Sequence, residues 1–511
     1  MLADGAMSRG RVSRRGRVLA GAGIGVLAWV VPPGLVDEVV AGCRERRLRS
    51  LPSRFGVYFV LGLCLFSYLP YGQVVRELTA GLEAGLAAAG WQVPASTALT
   101  GVRRRVGEGP LESLFGRVCP AVPPGREEWS HLCGLLAVAW DGTTVDVQDT
   151  AANAAAFGRP GTRRKPAGGG PGGAAFPQLR MVALVACGTR ALLGAAFGPA
   201  RGKDTGERHL AGSLLGRLGP GMLVLADRNF YGYPLWNAAA GTGADLLWRV
   251  KSSMRLPVIR ELPDGSWLAR VSDPRAVRAR TVRNGTRRRR GSRLPPDTGA
   301  VPGITVRVIE FTLTVTTAAG ARTERYRLIT TLADWRACPA ADLAAGYAWR
   351  WAIETGFAEF KTWLRGPGRR LRGKTPDLAR QELWAYLIIY QAIRALIARA
   401  AAGPGLDPDR ISFTAALRAA RRTITTARTS MTAALAQAEA EITATLNPLR
   451  QARTCVRAVK KTHSPYPSRN TRPAPIAHHA AYTLTITPPP ATTQTPAHQP
   501  KQPPRQPRNP P

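Results

Sequence analysis

The chain has 511 residues, with 71 Lys and Arg against 33 Asp and Glu, a formal charge of +38. With 45% hydrophobic residues it has apolar material for a large core, so disorder throughout is excluded, and seven cysteines without a Cys-x-x-Cys pair exclude a disulfide scaffold. So large a positive charge favours a polyanionic partner, nucleic acid first, because each Lys or Arg on a contact face neutralises a phosphate.

Residues 1–33 open with a basic stretch expected to be partly disordered. RVSRRGRVLAGAGIGVLAWVV (11–31) has the look of a twin-arginine leader, but no Ala-x-Ala site follows and the run passes into an amphipathic pattern. The apolar run 56–66 is too short for a bilayer, which needs roughly 20 residues, so a core helix is expected and no membrane role. Residues 34–130 read as a helical domain. A helix through ALTGVRRRVG gathers Arg103, Arg104 and Arg105, a candidate DNA contact.

From 131 the pattern changes. LLAVAW ends at Asp141-Gly142, a turn pair, with TTVDV as the returning strand. A Gly/Pro-rich basic loop (158–173) precedes a hairpin formed by 176–186 and 191–198, and Asp204 is a candidate cap for the helix after it. MLVLA (222–226) is a buried-type strand stopping at Asp227, and DLLWRVK (245–251) is another beyond a helix. Strands followed by alternating helices and strands predict a mixed sheet with packed helices over 131–254 and 331–460. Residues 255–330 read as a β-rich insertion carrying the Arg-rich run 278–293. The tail, 461–511, holds 14 prolines and neither Asp nor Glu from 462 on, and is expected to be disordered.

Three carboxylates stand out: Asp141 and Asp227 at predicted strand ends, and Glu354 within a helix. Hard divalent cations take oxygen ligands, and such a pair of ions can activate water on a phosphodiester. Only six histidines are present and four lie in the tail, which disfavours a His-rich zinc site. Tyr347, Arg350, Glu354 and Lys361 share one helical face by spacing. That face suits a metal ligand beside phosphate-gripping groups, and equally a solvated face with an Arg350–Glu354 ion pair.

DGTTVDVQDTAANAAAFGRP, GMLVLADRNFYGY and the Tyr-x2-Arg-x3-Glu-x6-Lys helix closely resemble the insertion-sequence-4 (IS4) family of DDE transposases, from about residue 20 to about 469. The resemblance implies an α/β, ribonuclease-H-like mixed sheet flanked by helices, with a β-rich insertion and an all-α N-terminal domain. It implies a catalytic triad of Asp141, Asp227 and Glu354 holding two Mg²⁺, with Mn²⁺ as a substitute. It further implies DNA contacts by Tyr347, Arg350, Lys361 and Arg228, with Arg249 and Lys251 lining the DNA channel and Trp248 either in the core or stacked on an unpaired base. Asp146 and Asp149 are rival first carboxylates; His131 and Cys133 read as structural. The expected activity is cut-and-paste transposition on terminal inverted repeats and target DNA. It would be carried out by a homodimer pairing two ends in the nucleoid-associated cytoplasm. A nuclease without strand transfer and an inactive DNA-binding relic are the alternatives.

Overall fold

In the computed structural model, residues 19, 22–42, 51–80, 82–119, 127–160, 175–202, 205–289, 299, 301–317, 320–425, 430–448 and 481–489 are described. The basic leader at 11–17, most of the Gly/Pro-rich loop, Asp204 and the end of the Arg-rich run lie outside them.

Among the described residues a 3₁₀ turn (Gly25–Trp29) is followed by six α-helices: α1 (Pro33–Val40), α2 (Ser53–Leu65), α3 (Tyr71–Thr79), α4 (Glu83–Ala88), α5 (Ser96–Val106) and α6 (Gly109–Val118). A short helix, α7 (Glu127–Ser130), leads into β1 (His131–Leu132) and β2 (Leu135–Asp146). Asp141-Gly142 is therefore no turn. β2 runs straight through it, hydrogen-bonded to β3 (Gln178–Ala186) from Val138 to Asp146. Between them lies α8 (Ala151–Phe157), capped by the Thr150 hydroxyl, and β4 (Leu192–Pro199) completes the expected hairpin with β3. After α9 (Glu207–Gly212), β5 (Met222–Ala226), α10 (Tyr233–Ala240) and β6 (Asp245–Arg249) follow in the expected order.

The stretch 255–330 is less separate than expected. It comprises β7 (Val258–Glu261), β8 (Trp267–Ser272), helix α11 (Pro274–Arg289) and a long hairpin, β9 (Gly303–Thr317) and β10 (Gly320–Thr330). β10 pairs with β6, so one sheet continues as β4-β3-β2-β5-β6-β10-β9-β8-β7. The Arg-rich run is helical up to Arg289. Its segment has one proline, at the first helical position, where a missing N–H costs nothing.

Helices α12 (Ala340–Gly346), α13 (Trp351–Ala358), α14 (Pro376–Ala402), α15 (Phe413–Thr425) and α16 (Met431–Thr443) complete the fold. The tail is not unstructured throughout: β11 (Ala481–Thr487) pairs antiparallel with β9, and most other residues of 461–511 lie outside the described set.

Strand alternation sorts the sheet into two faces. Ala137, Ala139, Leu223 and Leu225 join one core with α2, α5, α6, α13 and α14. Val138, Trp140, Val224, Ala226 and Trp248 join a second core with α9 and α10. The N-terminal helices thus share a core with α14. Among the described residues, α14 alone is long and apolar enough to cross a membrane, and 89% of its most apolar stretch is buried inside the protein.

Candidate active site

β2 and β5 are parallel, with Ala139 opposite Leu225. Continuing that register by two residues brings Asp141 level with Asp227. Both share the parity of Ala139 and Leu225, so both lie on the face that α13 covers. Asp227 follows the last residue of β5, and its Oδ1 accepts the Arg228 N–H at 2.5 Å. Asp141 Oδ1 accepts the Gly142 N–H at 2.7 Å.

The segment carrying Tyr347 and Glu354 is not one regular helix. Tyr347–Arg350 is a 3₁₀ turn, Trp351–Ala358 is α-helical and Glu359–Leu364 is a wider π turn. The buried Tyr347 hydroxyl donates to the Ala226 carbonyl at 3.1 Å, pinning the segment beside Asp227. Arg350, 8% exposed, bridges two of the carboxylates. Its Nη2 donates to Glu354 Oε1 at 3.0 Å and its Nη1 stands 3.5 Å from Asp141 Oδ2. Burial pushes the Asp141 carboxyl up to about 6, with Glu354 and Glu207 adding to the rise and Arg350 and the Gly142 N–H opposing it. Lys361 lies half-buried on the π turn, where the wider winding turns it away from the simple seven-residue alignment with Glu354.

Arg228 and Lys251 are exposed. With Arg208, Asn229, Tyr231, Ser253 and Met254 they line a cavity of about 350 Å³ on the side of the second core, and none of the three carboxylates lines it. Arg249 is anchored: it pairs with Glu324 at 2.9 Å and lies 4.0 Å over the Tyr326 ring. Trp248 is buried against Trp140 and Trp236, so it serves the core and cannot stack on a base as placed.

Arg103 departs most from expectation. It is 1% exposed, ion-paired to Glu382 at 3.3 Å, and donates to Tyr71, Gln381 and the Leu378 carbonyl. It is a structural cation, closed to DNA. Arg104 is exposed, and Arg105, half-buried, donates to the Leu51 carbonyl. The rivals are engaged elsewhere: Asp146 accepts from Gln178 at 2.7 Å and Asp149 pairs with Arg159 at 2.5 Å. His131 Nδ1 contacts the Ser130 hydroxyl at 2.8 Å, and Cys133 neighbours Cys338.

One carboxylate escaped the sequence reading. Glu207 lies over Gly142 so closely that a Cβ there would stand 2.3 Å from its Oε1. The nearest sequence signal was the glycine itself.

Among the described residues no three His, Cys, Asp or Glu side chains stand close enough to hold a metal ion as placed. The donor set nonetheless fits a hard divalent cation in kind: carboxylate oxygens only, one of them under-neutralised by burial, with a guanidinium bridging two of them.

A buried cation between two carboxylates on a strongly basic chain suits an enzyme acting on phosphodiesters. The family model of the transposase DDE domain matches residues 133–392, which makes the chain a DDE transposase, a DNA-cleaving enzyme of the divalent-metal-dependent kind. The model of the insertion element 4 transposase N-terminal domain matches residues 22–116, and the chain belongs to the IS4 family of insertion-sequence transposases. It is 27% identical over 386 residues to the transposase InsG for insertion sequence element IS4 of Escherichia coli (strain K12), covering 75% of this chain and 78% of that one. Among solved structures, it aligns with the piggyBac transposase synaptic complex with hairpin DNA at a TM-score of 0.39 and 9% identity, over 81% of this chain and 80% of that one.

Proposed function

We propose that Asp141, Asp227 and Glu354 are the catalytic carboxylates and that the transposase uses them to cut the terminal inverted repeats of its element and join the ends to target DNA. The observation that carries this is the Arg350 bridge: one guanidinium holds Glu354 at 3.0 Å and Asp141 at 3.5 Å, while Tyr347, one turn earlier, ties the same segment to the residue before Asp227.

The strand order β4-β3-β2-β5-β6, with only β3 antiparallel to both its neighbours and β2, β5 and β6 parallel, supports a ribonuclease-H-like reading of the catalytic domain, 131–254 with 331–460. Asp141, Asp227 and Glu354 would hold Mg²⁺, with Mn²⁺ as a substitute. When bound, such ions supply the Lewis acidity that activates water and offsets charge on the phosphodiester. The chain's own residues do the rest. Arg350 and Tyr347 fix the carboxylates relative to one another. Arg228, Lys251 and Lys361 bind phosphate oxygens beside the cut, and Arg249, held on Tyr326, lines the DNA channel. Arg104, Arg105 and the rest of the 34–130 helices contact the repeats, and the Arg-rich α11 holds DNA backbone. Two copies pair two ends, and the protein works on the nucleoid.

Cleavage of a fragment bearing the element's terminal repeats tests this reading, with wild type and Glu354→Gln compared in Mg²⁺, Mn²⁺ and EDTA. Metal-dependent cuts at the repeat ends that vanish in the variant are expected. Binding without cutting in either protein would move the assignment to an inactive relic.

A further inference from the structure

The tail strand β11 seats where the sheet overhangs the site. Continuing the Ala226–Trp248 register by one residue sets Asp227 level with Arg249, whose partner is Leu328, which in turn faces Ile309. Beyond that level β9 and β10 continue as a pair to Thr317 and Gly320. Eight residues at about 3.3 Å each carry the hairpin roughly 26 Å past the carboxylates. β8 pairs only with Gly303–Val308 of β9 and gives the overhang no support. β11 takes over where β8 stops, pairing with β9 from Glu310 to Thr316. A two-stranded hairpin is marginal in water, whereas a third strand with an apolar face makes it stable.

β11 has such a face. Tyr482, Leu484 and Ile486 alternate with threonines and oppose Val315, Leu313 and Phe311. Leu484 and Ile486 pack against the core that holds α13, and Ile486 reaches the β7–β8 turn at Gly265. Phe311, opposite Ile486, stacks on Tyr326 at 5.0 Å, and Tyr326 carries the Arg249 guanidinium. β11 also packs on α12, which runs directly into Tyr347.

We propose that the C-terminal strand is a strap that completes the active site. It holds the overhanging hairpin, and through it Arg249, over the catalytic end of the sheet, and it braces the helix that delivers Tyr347, Arg350 and Glu354. Its residues are positioning residues, remote from the reacting atoms. The strap rests on the assignment of the site proposed above.

The test uses the full chain. Leu484→Asp/Ile486→Asp breaks the inner face, Leu484→Ala/Ile486→Ala loosens it, and Thr483→Ala/Thr485→Ala alters only the exposed face. Amide exchange is followed over 310–317 and 340–346, with 178–199 as an internal standard for the fold. Cleavage gives kcat and KM for end DNA, and a synthetic peptide of residues 479–489 is added back. In the inner-face variants, exchange over 310–317 rises at least tenfold while 178–199 is unchanged. kcat falls at least tenfold with KM within threefold, and the peptide restores half or more of the rate. The outer-face variant stays within twofold throughout. Unchanged exchange over 310–317, or faster exchange with kcat within twofold of wild type, overturns the strap. If wild type itself binds ends without cutting, the carboxylate assignment fails instead. Exchange over 340–346 then decides the strap: a tenfold rise supports it and no change overturns it.

Discussion

Substituting Arg103 separates a structural cation from a DNA contact. Its guanidinium donates to Gln381 Oε1 at 3.2 Å, Tyr71 Oη at 2.5 Å, the Leu378 carbonyl at 3.1 Å and Glu382 Oε2 at 3.3 Å. The two side chains are 1% and 2% exposed. Glu382 also accepts the backbone N–H groups of Arg372 and Gly373, so it keeps partial stabilisation when the arginine is gone. Removing one partner of a buried pair costs about 3–5 kcal/mol, because the other charge is left uncompensated. At about 2 °C per kcal/mol, the low end of the scale and suited to a long chain, Arg103→Met lowers Tm by roughly 6–10 °C. Glu382→Gln keeps the acceptor, removes the charge, and recovers much of that loss in the double variant. A double-mutant cycle by urea unfolding then gives a coupling of about 2 kcal/mol or more. Arg104→Ala, at an exposed site on the same helix, changes stability by less than about 0.5 kcal/mol and acts only on DNA affinity. A Tm loss for Arg103→Met below about 2 °C, or a coupling near zero, would refute the buried-pair argument and return Arg103 to the DNA surface.

Other consequences follow from single contacts. Trp248→Ala empties a site shared with Trp140 and Trp236 and costs about 3–5 kcal/mol in urea unfolding, while end-DNA affinity of the folded protein stays within twofold. Asp264→Asn strands the buried Arg307 and costs about 3–5 kcal/mol at pH 7. Burial pushes the Asp264 carboxyl up, but hydrogen bonds from Ser266 and the Ala340 N–H and the charge of Arg307 outweigh it and hold the group below its usual range. Its contribution is therefore complete above about pH 4 and is lost as pH falls through the lower folded value, so the gap between wild type and variant in chemical unfolding closes only in acid. Gly142→Ala forces the Glu207 carboxylate aside at a cost of about 1–2 kcal/mol, which Gly142→Ala/Glu207→Ala recovers in thermal melts. Arg350→Lys keeps the charge but loses the fork that reaches both carboxylates, and cleavage falls at least about tenfold in a single-turnover assay.

Much of the sheet was legible because its strands are simple. MLVLA and DLLWR are buried on both faces and read as short apolar runs, and the β3–β4 hairpin announces itself at Gly188. Asp141-Gly142 misled because Asp-Gly is the strongest hairpin signal, yet β2 has β3 along one edge and β5 along the other. There the glycine serves to admit Glu207. The arginine triplet misled for a helical reason. Three consecutive residues point about 100° apart, so a helix packed through Leu99, Val102 and Val106 must turn one of them inward, and Arg103 is that one. The strap was hidden by averaging, since one short alternating segment is lost among 14 prolines.

The candidate site shows a similar division between what spacing determines and what packing determines. Spacing alone places Tyr347, Arg350 and Glu354 within two turns of one another, and a short reach along a helix is all that part needs. Lys361 depends on seven regular residues, and the helix is not regular there. Glu359, 6% exposed, is drawn into the core, where Arg190 donates to it at 2.5 Å and the Tyr390 hydroxyl at 3.1 Å. Satisfying that buried carboxylate coincides with the change from an α to a π turn at residue 359. The turn widens where the chain must present Glu354 towards Asp141 and, five residues later, send Glu359 into the interior. Two acidic residues on one segment thus have opposite fates, one sharing a guanidinium with Asp141 of β2 and one locked in an ion-pair network. Only the partners contributed by β2, by Arg190 and by α14 distinguish them, and none of those is adjacent in sequence.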